Sequence, residues 1–251
     1  SKTEIESRSA ILEKDICPNP KFPNPMRLQR QFTGKTITLD TKNPVGSGGE
    51  GRIYMVLDDP TLVAKIYHDP SDEDADKLTL MYNSPPANRT VAPGIVAIAW
   101  PVDLLRTTDA RQKIVGYLMP RVMKAAPVHI FYTPKTRREQ KPLFNYLYLH
   151  RSARSLAAAF TDLHAGGYVV GDVNESNILV SDTAIVTLVD TDSFQVRDPE
   201  TGFTFRCPVG KAEFTPPELQ SQAFRELDRT PEHDRLGLAV LLFQLLMEGT
   251  H

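Results

Sequence analysis

Little in this sequence points to a membrane, an extracellular scaffold or a structural metal. Among 251 residues there are two cysteines, Cys17 and Cys207, far apart and not in the close spacing of zinc ligands. Neither a disulfide framework nor a zinc site is expected from them, and a reducing compartment fits better. No run approaches the roughly 18 apolar residues of a membrane span, and the opening SKTEIESRSA has no signal-peptide character. Excess charge of one sign is missing as well: 29 Lys+Arg against 31 Asp+Glu leave a formal net charge of -2. That balance offers no electrostatic reason to expect nucleic acid or an anionic membrane as partner. Repeats and low-complexity tracts are absent too. What remains is 41% hydrophobic and 24% charged residues, the composition of an ordinary soluble globular protein, expected to be cytoplasmic.

Residues 1–34 are polar and proline-punctuated (CPNPKFPNP) and are expected to form an extension across a surface. From Lys35 the pattern changes. KTITLD, GRIYMVL and TLVAKIY are short β-rich runs separated by glycine, aspartate and proline, which predicts an antiparallel meander. Ser71 to Tyr82 predicts a short helix with Leu78 and Met81 on one face, and GIVAIAWPV and KIVGYLMPRV predict further strands. The basic, proline-bounded PKTRREQKP is expected to be a loop. Leu143 to Ala165 carries the longest helical pattern, stopped by Gly166-Gly167. VVGDV, NILV and AIVTLVD follow as brief strand-like pieces, then DRLGLAVLLFQLLMEG as a buried helix, apolar nearly all round. A strand-rich first part followed by a helix-rich second part implies an α+β chain of two lobes with a cleft between them.

Chemistry-bearing residues gather on both sides of that expected cleft. Gly46-Ser47-Gly48-Gly49-Glu50-Gly51 fits G-x-G-x-x-G. A dinucleotide fingerprint needs a helix after the glycines, whereas here β-branched Ile53 and a further strand follow. A hairpin lid over phosphates suits this arrangement, because missing side chains let backbone N–H groups approach phosphate oxygens. Lys65, in the apolar strand Val63-Ala64-Lys65-Ile66, is costly to bury unless paired; beside the glycine hairpin its expected role is a point charge on the α- and β-phosphates. Downstream, Asp172 and Asn177 bracket VNES before the apolar run Ile178-Leu179-Val180, and Asp190 ends the run Val186 to Val189. Taken singly each is an ordinary turn former. Jointly they supply an oxygen-rich cradle for Mg²⁺ and a carboxylate to orient an attacking hydroxyl.

These residues together resemble the eukaryotic-like protein kinase superfamily from Val45 to the end of the chain. GDVNESNILV, VDTDSFQV and VGKAEFTPPEL look like a bacterial branch often joined to a helix-hairpin-helix DNA-binding segment, which this sequence lacks. Members of that branch occur with phosphatase and von Willebrand-type partners in tellurite-resistance or stress loci. The resemblance implies a bilobal fold: an antiparallel β-rich N-lobe and hinge over 35–122 and a helical C-lobe over 123–251. The family continues through more helices, so the C-lobe is expected to be incomplete. It implies ATP and Mg²⁺, with Gly46, Gly48 and Gly51 in the phosphate loop and Lys65 as the strand lysine. Asp172 would orient the hydroxyl proton of a protein substrate, and Asn177 and Asp190 would be the metal ligands. Val45, Ile53, Ala64 and Leu179 match the residues that sandwich adenine. Met119 would guard the back pocket and Pro120 to Val122 would be the hinge, with the Val122 N–H facing adenine. Pro217-Glu218 would close an activation segment, and Asp234 would open the central buried helix.

The sequence also departs from the family. Gly171 stands where the family has an arginine, which predicts that activation-segment phosphorylation is not the main switch. Asn174 replaces a lysine, Lys211 a threonine, and Thr191-Asp192 the phenylalanine and glycine after the metal-binding aspartate. Asp192 is a candidate additional metal ligand. The helix acid expected to pair with Lys65 is Asp74 or its longer neighbour Glu73. The expected activity is serine/threonine protein kinase, with a nucleotide-binding scaffold without turnover and a small-molecule phosphotransferase of the same fold as alternatives.

Overall fold

Strands β1 (Met26–Arg30) and β2 (Thr36–Asp40) pair in a hairpin at the start of the computed structural model, which describes residues 25–249. The sequence pattern assigns residues 1–34 to an extension; residues 1–24 lie outside the described residues, but Met26–Arg30 is a strand of the main sheet with Leu28 sealed in its core. The pattern misses it because one five-residue strand beside a proline cluster shows too little alternation to read.

In chain order there follow β3 (Gly46–Ser47), β4 (Gly51–Val56), β5 (Leu62–Tyr67), helix α1 (Asp72–Asn83), the short pair β6 (Thr90–Ala92) and β7 (Ile95–Val96), then β8 (Asp103–Arg106) and β9 (Ile114–Pro120). Seven of these strands form one antiparallel sheet in the order β2-β1-β8-β9-β5-β4-β3. Leu39 also pairs with Val56 and Asp40 with Met55, so β2 meets β4 and the sheet closes on itself. Closure leaves fewer open strand edges to manage. Inside it lie Leu28, Leu39, Tyr54, Ala64, Ile66 and Leu118. Because side chains alternate along a strand, Val63 and Tyr67 of β5 face the other way, into the larger core shared with the helical lobe.

Asp103 fastens the first hairpin to this sheet. Its fully buried carboxylate accepts from Arg30 Nε (2.8 Å), the Phe32 and Leu104 N–H groups (3.0 and 2.9 Å) and Thr33 Oγ1 (3.3 Å). Replacing Asp103 with alanine strands several donors and is expected to lower stability by about 3 kcal/mol in urea titration. A chain beginning at Lys35, the boundary suggested by the sequence, is expected to be at least as unstable, since it leaves this carboxylate buried without Arg30.

Helix α1 starts where Ser71 and Asp74 form a reciprocal capping box, and it buries Leu78 and Met81. The second lobe comprises β10 (Ala125–Pro127), α2 (Val128–Tyr132), α3 (Pro134–Gln140), α4 (Tyr146–Ala165), β11 (Ile178–Ser181), β12 (Val186–Leu188), β13 (Val196–Arg197), β14 (Thr204–Phe205) and α5 (Pro231–Leu246). The segment PKTRREQKP is a helix and not a loop: Pro134 sits in the first helical turn and arginine, glutamate and glutamine are good helix formers. VVGDV forms only an isolated bridge, Val169 to Gln195. Helix α4, capped by Asn145, buries Leu149, Leu156, Phe160 and Leu163 and packs on α5. Helix α5 is less enclosed than its apolar composition suggests, since Leu236 and Phe243 are exposed. Among the described residues no helix is long and apolar enough to cross a membrane.

The lobes are tied through the strand ends that carry the site. Ala99 N–H donates to Leu188 O and Leu188 N–H to Ala97 O, both at 2.9 Å. Thr191 Oγ1 donates to Ala99 O at 2.9 Å.

Candidate active site

A cavity of about 340 Å³ opens between the lobes. Val45, Ile53 and Val63 line it from the sheet, Leu179 from the helical lobe, and Met119, Pro120 and Val122 along the connection. Lys65 and Asp190 stand at its polar end, 2.6 Å apart. The sequence places Ala64 in this wall; the structure puts Val63 there instead. With a period of two, Val63 shares Lys65's face while Ala64 turns into the closed sheet with Ile66. Along the connection, the Arg121 N–H is engaged by Thr61 O (2.8 Å), whereas Val122 N–H has no partner among the described residues.

The glycine segment is a β-hairpin, with Gly46 opposite Ile53 and Ser47 opposite Arg52. Its glycines do different things. A Cβ at Gly51 would lie 2.5 Å from Ile66 O, so that position needs glycine for close strand approach; around Gly48 and Gly49 there is open space. At the tip, Glu50 lies 3.6 Å from Lys65 Nζ, and burial raises its carboxyl pKa against the opposing pull of Lys65.

Lys65 is almost fully buried and holds a second carboxylate besides Asp190. Its ammonium is 2.8 Å from Asp192 Oδ1 and 2.7 Å from Oδ2. Burial opposes a charge on Lys65, but Asp192 and Asp190 outweigh it and its pKa rises. Burial likewise opposes ionisation of Asp192; Lys65 prevails, and that carboxyl is held below the usual range. Tyr67 and Tyr117 hydroxyls also donate to Asp192, each at 2.8 Å. Neither helix acid expected from the sequence pairs with Lys65. Asp74 is occupied by the Ser71 cap at 2.6 and 2.9 Å, and Glu73 is exposed, with no ion pair among the described residues.

Asp172 and Asn177 meet on the loop before β11. Asp172 Oδ2 accepts from Asn174 Nδ2 (2.8 Å) and Asn177 Nδ2 (3.2 Å), which leaves Oδ1 without a donor among the described residues. Asn174 thus takes up the carboxylate directly, and Lys211 pairs with Glu175 at 2.7 Å. Two buried N–H groups fix the base of this loop: Val170 and Gly171 donate to Asp234 at 2.7 and 2.9 Å.

A metal fits here only in part from protein atoms. Among the described residues nothing donates to Asn177 Oδ1 or Asp190 Oδ2, and both are hard oxygens of the kind Mg²⁺ takes from protein before completing its shell with water and phosphate. Among the described residues no three His, Cys, Asp or Glu side chains converge on a metal position. Asp192, a candidate ligand from sequence, already has donors on both oxygens.

No protein-family model matches the chain. Over 221 residues, 87% of this chain, it is 38% identical to Protein kinase YegI of Escherichia coli strain K12, and equally to the protein of that name in Escherichia coli O157:H7. The chain spans 33% of the length of these curated relatives. Its fold overlays the ROP18 kinase domain in complex with AMP-PNP and sucrose with a TM-score of 0.58 at 17% identity, over 89% of this chain and 68% of that one. A Toxoplasma gondii specific rhoptry antigen kinase domain overlays with a TM-score of 0.62 at 15% identity, over 96% and 74%. ROP2 from Toxoplasma gondii, titled a virulence factor with a protein-kinase fold and no enzymatic activity, gives 0.59 at 16%, over 89% and 68%. The chain has the protein kinase fold.

Against the kinase pattern, the structure gives the substitution at Gly171 a physical reason. Gly171 has φ +71°, and a Cβ there would lie 2.7 Å from Cys207 Cβ and 3.0 Å from Arg229 Nη1. Arg229, buried and stacked 4.1 Å over the Phe224 ring, already fills that space and donates to Val209 O at 2.6 Å. A guanidinium from later in the chain therefore lies against position 171, where the kinase sequence pattern has an arginine. Sequence reasoning missed Arg229, Tyr67, Tyr117 and the pairing role of Asp192. Only Tyr67 had a local signal, two residues from Lys65 and so on its face.

Proposed function

We propose that this chain binds ATP with Mg²⁺ in the cleft and transfers the γ-phosphate to serine or threonine hydroxyls of protein substrates in the cytoplasm. The observation that carries this reading is the 2.6 Å contact between Lys65 and Asp190 at the polar end of an apolar cavity, of a size that suits a nucleotide base and sugar. Val45, Ile53 and Val63 press on one face of adenine and Leu179 on the other, with the free Val122 N–H facing the base edge. Lys65 holds the α- and β-phosphates in place of Glu50. Asn177 and Asp190 would hold Mg²⁺, which supplies positive charge to the phosphate oxygens. Asp172, pinned through Oδ2, presents Oδ1 to the substrate hydroxyl and accepts its proton as the oxygen–phosphorus bond forms and the β–γ bridging bond breaks, releasing ADP. The relatives' name, protein kinase, agrees with this reading.

Incubating the full-length protein with ATP and Mg²⁺ and reading intact mass tests it, with Lys65→Ala as control. A phosphatase and a von Willebrand-type domain protein, suggested by the resemblance, are the first substrates to offer. Phosphate added by wild type and not by Lys65→Ala supports the reading. Transfer only to sugars or other small molecules reassigns the substrate class, and nucleotide binding without transfer leaves a scaffold. Alanine at both Thr201 and Thr204 is expected to keep transfer within about twofold of wild type, because Arg229 already anchors the segment. Thr201 donates to Asp198 in a local turn at 2.5 Å, and Thr204 lies opposite Arg197.

A further inference from the structure

Kinase-type chemistry needs Lys65 held by a carboxylate so that its ammonium points at the phosphates, and in this chain the holder is not on α1. We propose that Asp192 is the positioning residue for Lys65, set by the paired strands β5 and β9 and independent of where α1 lies. The inference rests on the nucleotide-binding half of the function proposed above.

Three observations carry it. First, both Asp192 oxygens are occupied from the sheet. Lys65 contacts both, Tyr117 donates to Oδ1 and Tyr67 to Oδ2. Lys65 and Tyr67 share a face of β5, and Tyr117 is the register partner of Lys65 on β9. The donors are therefore adjacent points on one hydrogen-bonded ladder, which cannot shift independently. The Asp192 side chain is 3% exposed, so the pair is shielded from water and counterions.

Second, the turn that carries Asp192 is itself anchored. Residues Thr191–Ser193 form a single 3₁₀ turn. Thr191 Oγ1 donates to Ala99 O (2.9 Å) and Ser193 Oγ to Asp190 O (2.8 Å). The same turn thus sets Asp190 and Asp192 together, one toward the cavity and the other toward the sheet.

Third, α1 has no acid available for the task. Asp74 closes the helix cap and Glu73 is exposed; both line the pocket beside Asp192 together with Lys77, and neither pairs with Lys65 among the described residues. Lys77 makes no hydrogen bond or ion pair among the described residues. Helix α1 thus brings a cation as well as two acids to this pocket, and the carboxylate that holds Lys65 comes from none of them. Placing the carboxylate on the same turn as Asp190 makes Lys65 ready on folding. In this chain, then, α1 displacement does not break the ion pair.

The test is nucleotide affinity of the full-length protein, read with a fluorescent ATP analogue and Mg²⁺, in a double-mutant cycle. Asp192→Asn is expected to weaken binding by at least about tenfold, the scale of a lost charge-assisted hydrogen bond. In a Lys65→Met background the same change is expected to cost less than about twofold, because its effect passes through the lysine. Glu73→Gln with Asp74→Asn is expected to leave affinity within about twofold. Equal loss from Asp192→Asn in both backgrounds would show a merely structural role and overturn the inference, as would a tenfold loss from the α1 pair. If Asp192→Asn does not fold, the α1 pair still decides between the two carboxylate sources. Wild type that binds no nucleotide overturns both this inference and the proposed function. Wild type that binds, with Asp192→Asn unchanged, overturns this inference alone.

Discussion

Changing Asp172 to asparagine is expected to reduce phosphoryl transfer by about 10²–10⁴-fold, the range for loss of a positioned acid–base group, while nucleotide affinity stays within about threefold. The geometry makes this an unusually clean substitution. Oδ2 of Asp172 accepts from both Asn174 and Asn177, so an asparagine oxygen takes that place and keeps the loop as it is. Its NH₂ then stands where Oδ1 stood. A donor would replace an acceptor at the atom that the proposed function assigns to the substrate hydroxyl, so the proton would have nowhere to go. Single-turnover transfer to a protein substrate, measured beside fluorescent nucleotide binding, separates this from general damage. Equal rates in wild type and variant would remove Asp172 from the chemistry and favour a scaffold.

Asp234→Ala is expected to be the most destabilising single change in the helical lobe, by roughly 3–5 kcal/mol. Asp234 is almost completely buried and accepts from the N–H groups of Val170 and Gly171, with His164 Nε2 at 2.9 Å. Alanine leaves both N–H groups inside the protein with no acceptor, each at a cost of about 1–3 kcal/mol. For a chain of this size that corresponds to a fall in Tm on the order of 10 °C, measured by calorimetry. Asp234→Asn retains one acceptor and is expected to fall between the two. A shift under about 2 °C for alanine would mean that the loop finds other acceptors, and the account of its anchoring would fail. Activity should fall with stability here, because the peptide unit that Asp234 holds leads directly into Asp172.

The protein kinase fold was legible largely because its signals are local. Ser71 and Asp74 are close in sequence, and their cap places the start of α1 where the periodicity predicts it. Gly166 ends α4 where the sequence pattern stops it, whereas Asn145 caps its start at Tyr146, three residues after the predicted Leu143. Glycines before β4 and alternating residues along β5 made the hairpin and the lysine strand readable. Where local cues conflicted, reading failed. The prolines of PKTRREQKP concealed a helix, and the motif match at Ala64 overrode the alternation that puts Val63 in the wall. The strand Met26–Arg30 was hidden because its value lies in closing a sheet with partners much later in the chain.

The sequence by itself determined the reactive inventory: which residues carry charge, where backbone can approach a phosphate, and that Lys65 sits within an apolar strand while Asp172, Asn177 and Asp190 sit beside apolar runs. These depend on neighbours a few residues away, whose covalent spacing restricts what they can do. Only the tertiary structure decided which carboxylate holds Lys65 and which arginine fills the space beside Gly171. Those choices depend on chain segments far apart in sequence arriving at one point. Asp192 reaches Lys65 because both lobes close on the same buried volume, and burial there makes an unpaired charge too costly to leave alone.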